Sequence, residues 1–310
     1  MDASKQAHSS QEDFEIPAEL TPALQARRRS QKRIIFDRFM RNKVATAGAL
    51  FLLFLILCCL FGPLIPGHTT PDAVGVTAPF AGSSLADPFG TDNLGRDTLA
   101  RAMVGGRISL LVALSSMLIS IVLGIIIGAF AGYYGGWLDN ILMRLTDTIL
   151  TIPLYLLLFV LSATFANGTP ISVIFLIAIF GWTKAARLVR GEFLALKERE
   201  FVQAAATIGA RDLRMMFYHI LPNAAGPIIV NATLLIGSNI ILESVLSFFG
   251  FGVSIPVASW GSMINQGRDY FDAAPRLLLI PGILIFLTVL SCNLVGDGLR
   301  DALDPQMTER

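Results

Sequence analysis

Glu243 is the only ionisable side chain in the apolar stretch 228–250. An ionised carboxylate near a bilayer centre costs roughly 2.5–3.5 kcal/mol on insertion scales. It must face a cavity or a partner, or sit protonated. Two readings are open: a counter-ion for a solute amino group, or a hydrogen bond to a neighbouring helix. Other reactive residues are sparse. His8, His68 and His219 form no H-E-x-x-H and no His/Cys cluster, so no metal site is expected. Cys58, Cys59 and Cys292 lie inside apolar runs without ligand spacing or an exposed pair. There is no G-x-x-x-x-G-K-[S/T] phosphate loop and no G-x-S-x-G. No catalytic site is expected in this chain, and an enzyme would have to assemble a Ser–Lys or Asp pair from distant helices.

The composition says where such a chain lives. Of 310 residues, 54% are apolar and 15% charged, against about 25% charged in soluble domains. Mean hydropathy is +0.63. With 24 basic and 23 acidic residues, nucleic-acid binding has no electrostatic support. An all-α integral membrane protein is expected. A hydrocarbon core about 30 Å thick takes roughly 20 apolar residues as a helix. Uncharged stretches occupy 44–65, 108–138, 148–183 and 277–296, and 228–250 holds Glu243 alone. The turn signal Ala166-Asn167-Gly168-Thr169-Pro170 divides 148–183 into a tight hairpin of two helices. The second is short unless it runs past Lys184 and Arg187 with their heads snorkelling. Six transmembrane helices result. The expected organisation is an arm at 1–43, a first helix at 44–66, an outer loop at 67–107, a core at 108–297 and a tail at 298–310.

Basic residues set the orientation. With the N-terminus inside, the inner segments (the N-terminal arm, a loop around 134–147, the loop 184–227 and the C-terminal tail) hold 19 Lys and Arg and the outer segments 5. Both termini are therefore expected in the cytoplasm. The polar N-terminal arm is no signal peptide. Its basic run, Arg27, Arg28, Arg29, Lys32, Arg33, Arg38, Arg41 and Lys43, suits the anionic lipid of the inner leaflet.

The inner loop 184–227 is unusual, being rich in helix formers rather than turn residues. Gly209 interrupts it. After that glycine, Leu213, Met216, Phe217 and Ile220 recur at helical spacing. Pro222 disfavours a helical Leu221 and marks the end of this short helix. Two short helices meeting at a glycine suit docking into a partner's groove; the other reading is an interfacial helix lying on lipid.

Here the residues reach a family. Gln203-Ala204-Ala205, Gly209 and Ile220-Leu221-Pro222-Asn223 resemble the "EAA" loop of ABC-importer permeases, with Gln203 where that family usually has Glu. Phe89-Gly-Thr-Asp-Asn-Leu-Gly-Arg-Asp97 and Gly132-Tyr-Tyr-Gly-Gly136 with Asp139 and Met143-Arg144 resemble the C-type subunit of dipeptide, oligopeptide and nickel importers. So do Leu246-Ser-Phe-Phe-Gly-Phe-Gly252, Ser259-Trp-Gly261 and Asn293-Leu-Val-Gly-Asp-Gly-Leu-Arg-Asp-Ala-Leu-Asp-Pro305. The resemblance spans about residues 34–306. It implies a type I ABC-importer permease fold in a bacterial inner membrane. It also implies a second homologous permease, two cytoplasmic ATPases that bind ATP and Mg, and an extracytoplasmic substrate-binding protein. The solute would be a peptide, with nickel chelates or glutathione as alternatives. A stand-alone secondary transporter is a weaker reading, because no inverted repeat is visible. In the resemblance, Gln203, Ala204, Ala205, Gly209, Leu213, Met216, Phe217 and Pro222 form the ATPase-coupling loop.

Two further features leave alternatives open. Gly124, Gly128 and Gly132 make a small-residue stripe, either a moving seam or static packing. Asp92–Arg96 and Asp97–Arg101 are spaced to pair on a short helix; this segment is expected as a structural cap over the outer mouth, with contact to the binding protein or gating of the pathway as the alternatives.

The charge asymmetry predicts that a cysteine placed near Ser83 is modified by an impermeant reagent added outside intact cells. One placed near Lys197 should stay unmodified. The reverse pattern would contradict the topology.

Overall fold

The structure, a computed structural model, describes residues 31–64, 71–75, 77–85, 87–165, 167–254 and 256–303. Arg27, Arg28, Arg29, His8, His68 and the closing Asp304-Pro305 lie outside these residues. Among the described residues the secondary structure is helical, with no named strand. Helix α1 (Gln31–Arg41) leads into α2 (Lys43–Phe61) through Asn42. The Asn42 side chain accepts from the Ala45 N–H at 3.1 Å, satisfying one orphan donor of the first turn.

The central element is α3 (Thr98–Tyr134), 37 residues and therefore about 55 Å long. Asp97 starts it, its carboxylate accepting from the Leu99 N–H at 2.8 Å. Gly135, at φ +65°, ends it. The helix begins ten residues before the expected boundary at 108, because Arg101 and Arg107 find partners rather than water. Arg107 donates to the carbonyls of Cys59, at 2.6 Å, and Leu60 in the last turn of α2.

The next span departs from expectation. Residues 134–147 are expected as a loop, yet α4 (Gly136–Thr151) is a helix, followed by α5 (Leu154–Phe165). The two meet at 87°. The break has a local cause. Ile152 is extended (φ −81°, ψ 131°) because Pro153 follows it and disfavours a helical predecessor. Among the described residues, five helices are long and apolar enough to cross a membrane, and a sixth span results if the bent pair is counted as one. Of the expected turn at 166–170, residue 166 lies outside the described residues, and 167–170 form the entry to the next helix. Gly168 has φ +68°, Thr169 caps α6 (Pro170–Lys197), and Pro170 occupies its first turn. Helix α6 does run past Lys184 and Arg187.

After α6 come α7 (Glu200–Thr207) and α8 (Asp212–Phe248). Pro222 does not terminate a short helix as its sequence context suggests. Residues 215–220 take a π-helical register immediately before it, and the chain runs on into the span. Widening the helix there accommodates a residue with no N–H to donate. Asn223 adds a bond from its amide to the His219 carbonyl at 2.7 Å. The end of the loop is thus continuous with a membrane helix. Helices α9 (Trp260–Gly267) and α10 (Arg276–Leu303) complete the fold.

The glycine stripe decides how these helices pack. A Cβ at Gly124 would lie 2.5 Å from the Ala185 Cβ, and one at Gly128 would lie 2.5 Å from the Ala186 carbonyl oxygen. At Gly132 it would lie 2.7 Å from the Phe193 Cβ. Helices α3 and α6 are therefore in backbone contact over three turns, a separation only glycine permits.

Gly128→Leu should abolish the folded yield, because the crowding atoms are backbone and cannot swing away. Gly191 lies on α6 with nothing within 4 Å of an added Cβ. There, Gly191→Ala should raise the detergent melting midpoint, removing a helix-interior glycine that costs about 0.5–1 kcal/mol. Melting curves of the two purified variants check both signs.

Candidate functional site

One candidate site is the helical corner α7–Gly209–α8. Gly209 has φ +83°, the left-handed conformation that lets the chain reverse between the helices. One face of the corner is buried. Val202 and Ala205 of α7, with Met215, Met216 and Ile220 of α8, pack with Ala185, Val189 and Phe193 of α6 and with Ala129 of α3. The expected outward set therefore divides. Met216 is fully buried and Ala205 nearly so, because the π-helical register turns both methionines inward. Gln203, Ala204, Gly209, Leu213, Phe217 and Pro222 are exposed. Ile208, which sequence reasoning did not single out, is the most exposed apolar residue of the corner at 86%. Gln203 donates to the Glu198 carbonyl at 3.3 Å and makes no ion pair.

Polar contacts tie the corner to the bundle. The Tyr133 hydroxyl bonds the Asp212 carboxylate at 2.9 Å, and Lys197 Nζ donates to the Tyr133 carbonyl at 2.8 Å. Nearby, Arg190 grips Asp139 with two bonds of 2.5 and 2.6 Å, and Arg187 pairs with Asp147 at 2.5 Å. Helix α4 is thereby clamped to α6. Tyr133 and Asp139 belong to sequence motifs, but pattern alone did not show what they hold.

A second candidate is a cavity of about 520 Å³ in the angle between α4 and α5, closed by α6 and α8. Residues 149–155 form one wall, and Thr183, Lys184, Ser238 and Asn239 supply polar atoms. The Asn239 amide is anchored to Ser116 Oγ at 2.9 Å. Sequence reasoning missed this cavity; Pro153 was the available signal.

Glu243 does not line that cavity. It is fully buried, accepting from Ser109 of α3 at 2.9 Å and from Ser247 at 2.7 Å. Ser109 Oγ also accepts from the Trp260 backbone N–H at 3.1 Å, which joins the start of α9 to the same network. Trp260 fixes α9 further by donating its indole N–H to the Ala102 carbonyl at 2.9 Å. The Ser259-Trp-Gly261 motif thus builds a three-helix junction. A Cβ on Gly261 would meet the Ser244 Cα at 2.6 Å.

At the other end of α3, residues 89–97 form a folded clamp rather than a short helix. Asp92 accepts from the backbone N–H groups of Leu94 and Arg96 and pairs with Arg96 Nε at 2.6 Å. Arg101 pairs with Asp72 at 2.7 Å and lies 3.9 Å from Asp92, while Asp97 caps α3. Arg96 and Arg101 both donate to the side-chain Oε1 of Gln266 on α9, at 3.0 and 3.3 Å. Gly90 and Gly95 have φ near +69° and +68°, and carbonyl oxygens crowd both.

Comparison with known families and proteins agrees with this architecture. Residues 124–309 match the family described as "binding-protein-dependent transport system inner membrane component", and residues 30–79 match the "N-terminal TM domain of oligopeptide transport permease C". The glutathione transport system permease protein GsiD of Salmonella typhimurium is 43% identical over 279 residues, covering 90% of this chain and 92% of its own. GsiD of Shigella flexneri is 42% identical, covering 87% and 89%. GsiD of Escherichia coli O6:K15:H31 is 40% identical, also covering 87% and 89%.

The Glu243 junction makes a stability prediction. Glu243→Gln retains groups that can bond both serines and should melt within about 1 kcal/mol of the unsubstituted chain. Glu243→Lys buries a longer cation among hydroxyls that cannot neutralise it and should lose folded yield. Equal melting midpoints for the two variants would contradict the assignment.

Proposed function

This chain belongs to the inner-membrane permeases of binding-protein-dependent ABC importers, in the oligopeptide and dipeptide family, and on that premise we propose that it forms half of a translocation pathway for short peptides. It is a multi-pass protein of the bacterial inner membrane. Glutathione, the solute named for the GsiD relatives, is itself a short peptide and falls within this class. In this reading the chain performs no catalysis. A second permease completes the pathway, an extracytoplasmic binding protein delivers the solute, and two cytoplasmic ATPases bind ATP and Mg.

The observation that carries the reading is the corner α7–Gly209–α8. One face is sealed into the bundle core, and the other presents Ile208, Leu213 and Phe217. An apolar helical corner of this kind suits a groove on a partner. Helix α8 runs without interruption from Asp212 through the membrane span, so a displacement of the corner enters the bundle as a tilt of a rigid element. ATP-driven closure of the ATPases would then switch the pathway between inward- and outward-open states. The corner lies on the cytoplasmic side in this account, in agreement with the charge asymmetry.

The test uses the complete complex in proteoliposomes with the loaded binding protein. The unsubstituted complex should show ATP-dependent peptide uptake. Gly209→Val forces a β-branched residue into positive φ, a strain of about 1–3 kcal/mol, with no steric clash to disturb the bundle. The variant should insert normally, bind the ATPases weakly and lose uptake. Uptake at the unsubstituted rate, with the ATPases bound as before, would show that this corner does not couple them.

A further inference from the structure

Three cations lie on successive turns of α6: Lys184, Arg187 and Arg190. Two are neutralised by α4, Arg187 by Asp147 and Arg190 by Asp139. Lys184 is not. It is exposed, it lines the cavity at the α4–α5 bend, and it has no acidic partner among the described residues. Among the described residues, no carboxylate lines that cavity. Its described lining therefore carries one full positive charge and no negative one.

Its position makes this informative. A break in a helix at membrane depth is tolerated where the freed backbone groups line a water-filled space. The helices on either side of Ile152-Pro153 meet at 87°, and the cavity of about 520 Å³ lies in that angle. This volume is in the range of small-solute sites. Lys184 is exposed at the inner end of the span, so its ammonium is open to an anionic partner entering the cavity. Around Lys184, the Thr183 and Ser238 hydroxyls already donate to the Phe180 and Leu234 carbonyls at 2.9 and 3.2 Å. Among the described lining residues, the Tyr155 hydroxyl and the Lys184 ammonium are the side-chain donors left uncommitted, and the ammonium alone is charged.

We propose that Lys184 is the selectivity residue of this cavity, binding the carboxylate of the solute in transit. The proposal rests on the peptide-import reading above and adds the group by which the permease itself selects. An amino group would be repelled from the same position, so a peptide would enter this site by its C-terminal end. The same ammonium chemistry would also accept an anionic lipid headgroup, and the test separates the two.

The complete importer is reconstituted in phosphatidylcholine vesicles, with and without phosphatidylglycerol. Uptake is measured for trialanine and for trialanine amide, each with the binding protein saturated, so that its own preference drops out. With the unsubstituted chain, trialanine should be carried faster than its amide. In Lys184→Gln the trialanine rate should fall about tenfold, the size of a lost charge-assisted hydrogen bond. The amide rate should stay unchanged, and Lys184→Arg should restore trialanine uptake. Equal losses for both peptides would mark a structural role and overturn the proposal, as would no loss for either. A defect confined to vesicles containing phosphatidylglycerol would assign the cation to lipid and likewise overturn it. If the unsubstituted complex carries neither peptide nor glutathione, it is the peptide-import reading that fails.

Discussion

The backbone contact between α3 and α6, made at Gly124, Gly128 and Gly132, is the constraint on which the rest of the structure depends. In a bilayer, water gives helices no reason to associate, and close van der Waals packing has to do it. Three glycines on one face allow that packing over some three turns. The pair so formed carries functional elements at both ends. At one end Asp97 starts α3 inside a clamp of buried ion pairs that reaches Gln266. At the other, Tyr133 holds Asp212, and the apolar cluster around Phe193 receives the inner face of α7.

A second constraint governs the polar residues. Without water in the core, each donor and acceptor needs a protein partner or a cavity. Glu243 meets this rule through serines on α3 and α8, and Asn239 through Ser116. The bent span meets it differently, by opening onto a cavity. Two arrangements therefore stand out among the described residues: closed polar junctions that join helices, and the cavity at the bend.

The class of the fold was legible because hydrocarbon thickness imposes a length on every span, and uncharged runs of that length are visible in the sequence. Gly209 was legible too, since a glycine between two amphipathic segments has few roles besides a reversal at positive φ. What was not legible depended on register or on distant contacts. Pro222 reads as a terminator unless a π-helical turn precedes it, and hydropathy patterns do not reveal such a turn. The same turn moves Met216 from the outer face to the core. Asp92 and Arg96 have the spacing of a helical pair, yet Gly90 and Gly95 fold them into a clamp. Glu243 was conspicuous as a lone charge, but its serine partners lie 134 residues away on α3 as well as one turn along α8. The cavity at Pro153 arises from four helices and has no local signature.

The packing of the corner on Phe193 and Val189 of α6, with the Tyr133–Asp212 bond, supports the central claim that the corner and the α3–α6 pair move as one body. The direct measurement is the distance between spin labels at Ile208 on the corner and Leu118 on α3, both exposed. It would be read in the assembled importer without nucleotide and with ATP bound. The account predicts that this distance stays the same in both states, while the distance from Ile208 to a label on the second permease changes. A change between Ile208 and Leu118 on ATP binding would contradict it.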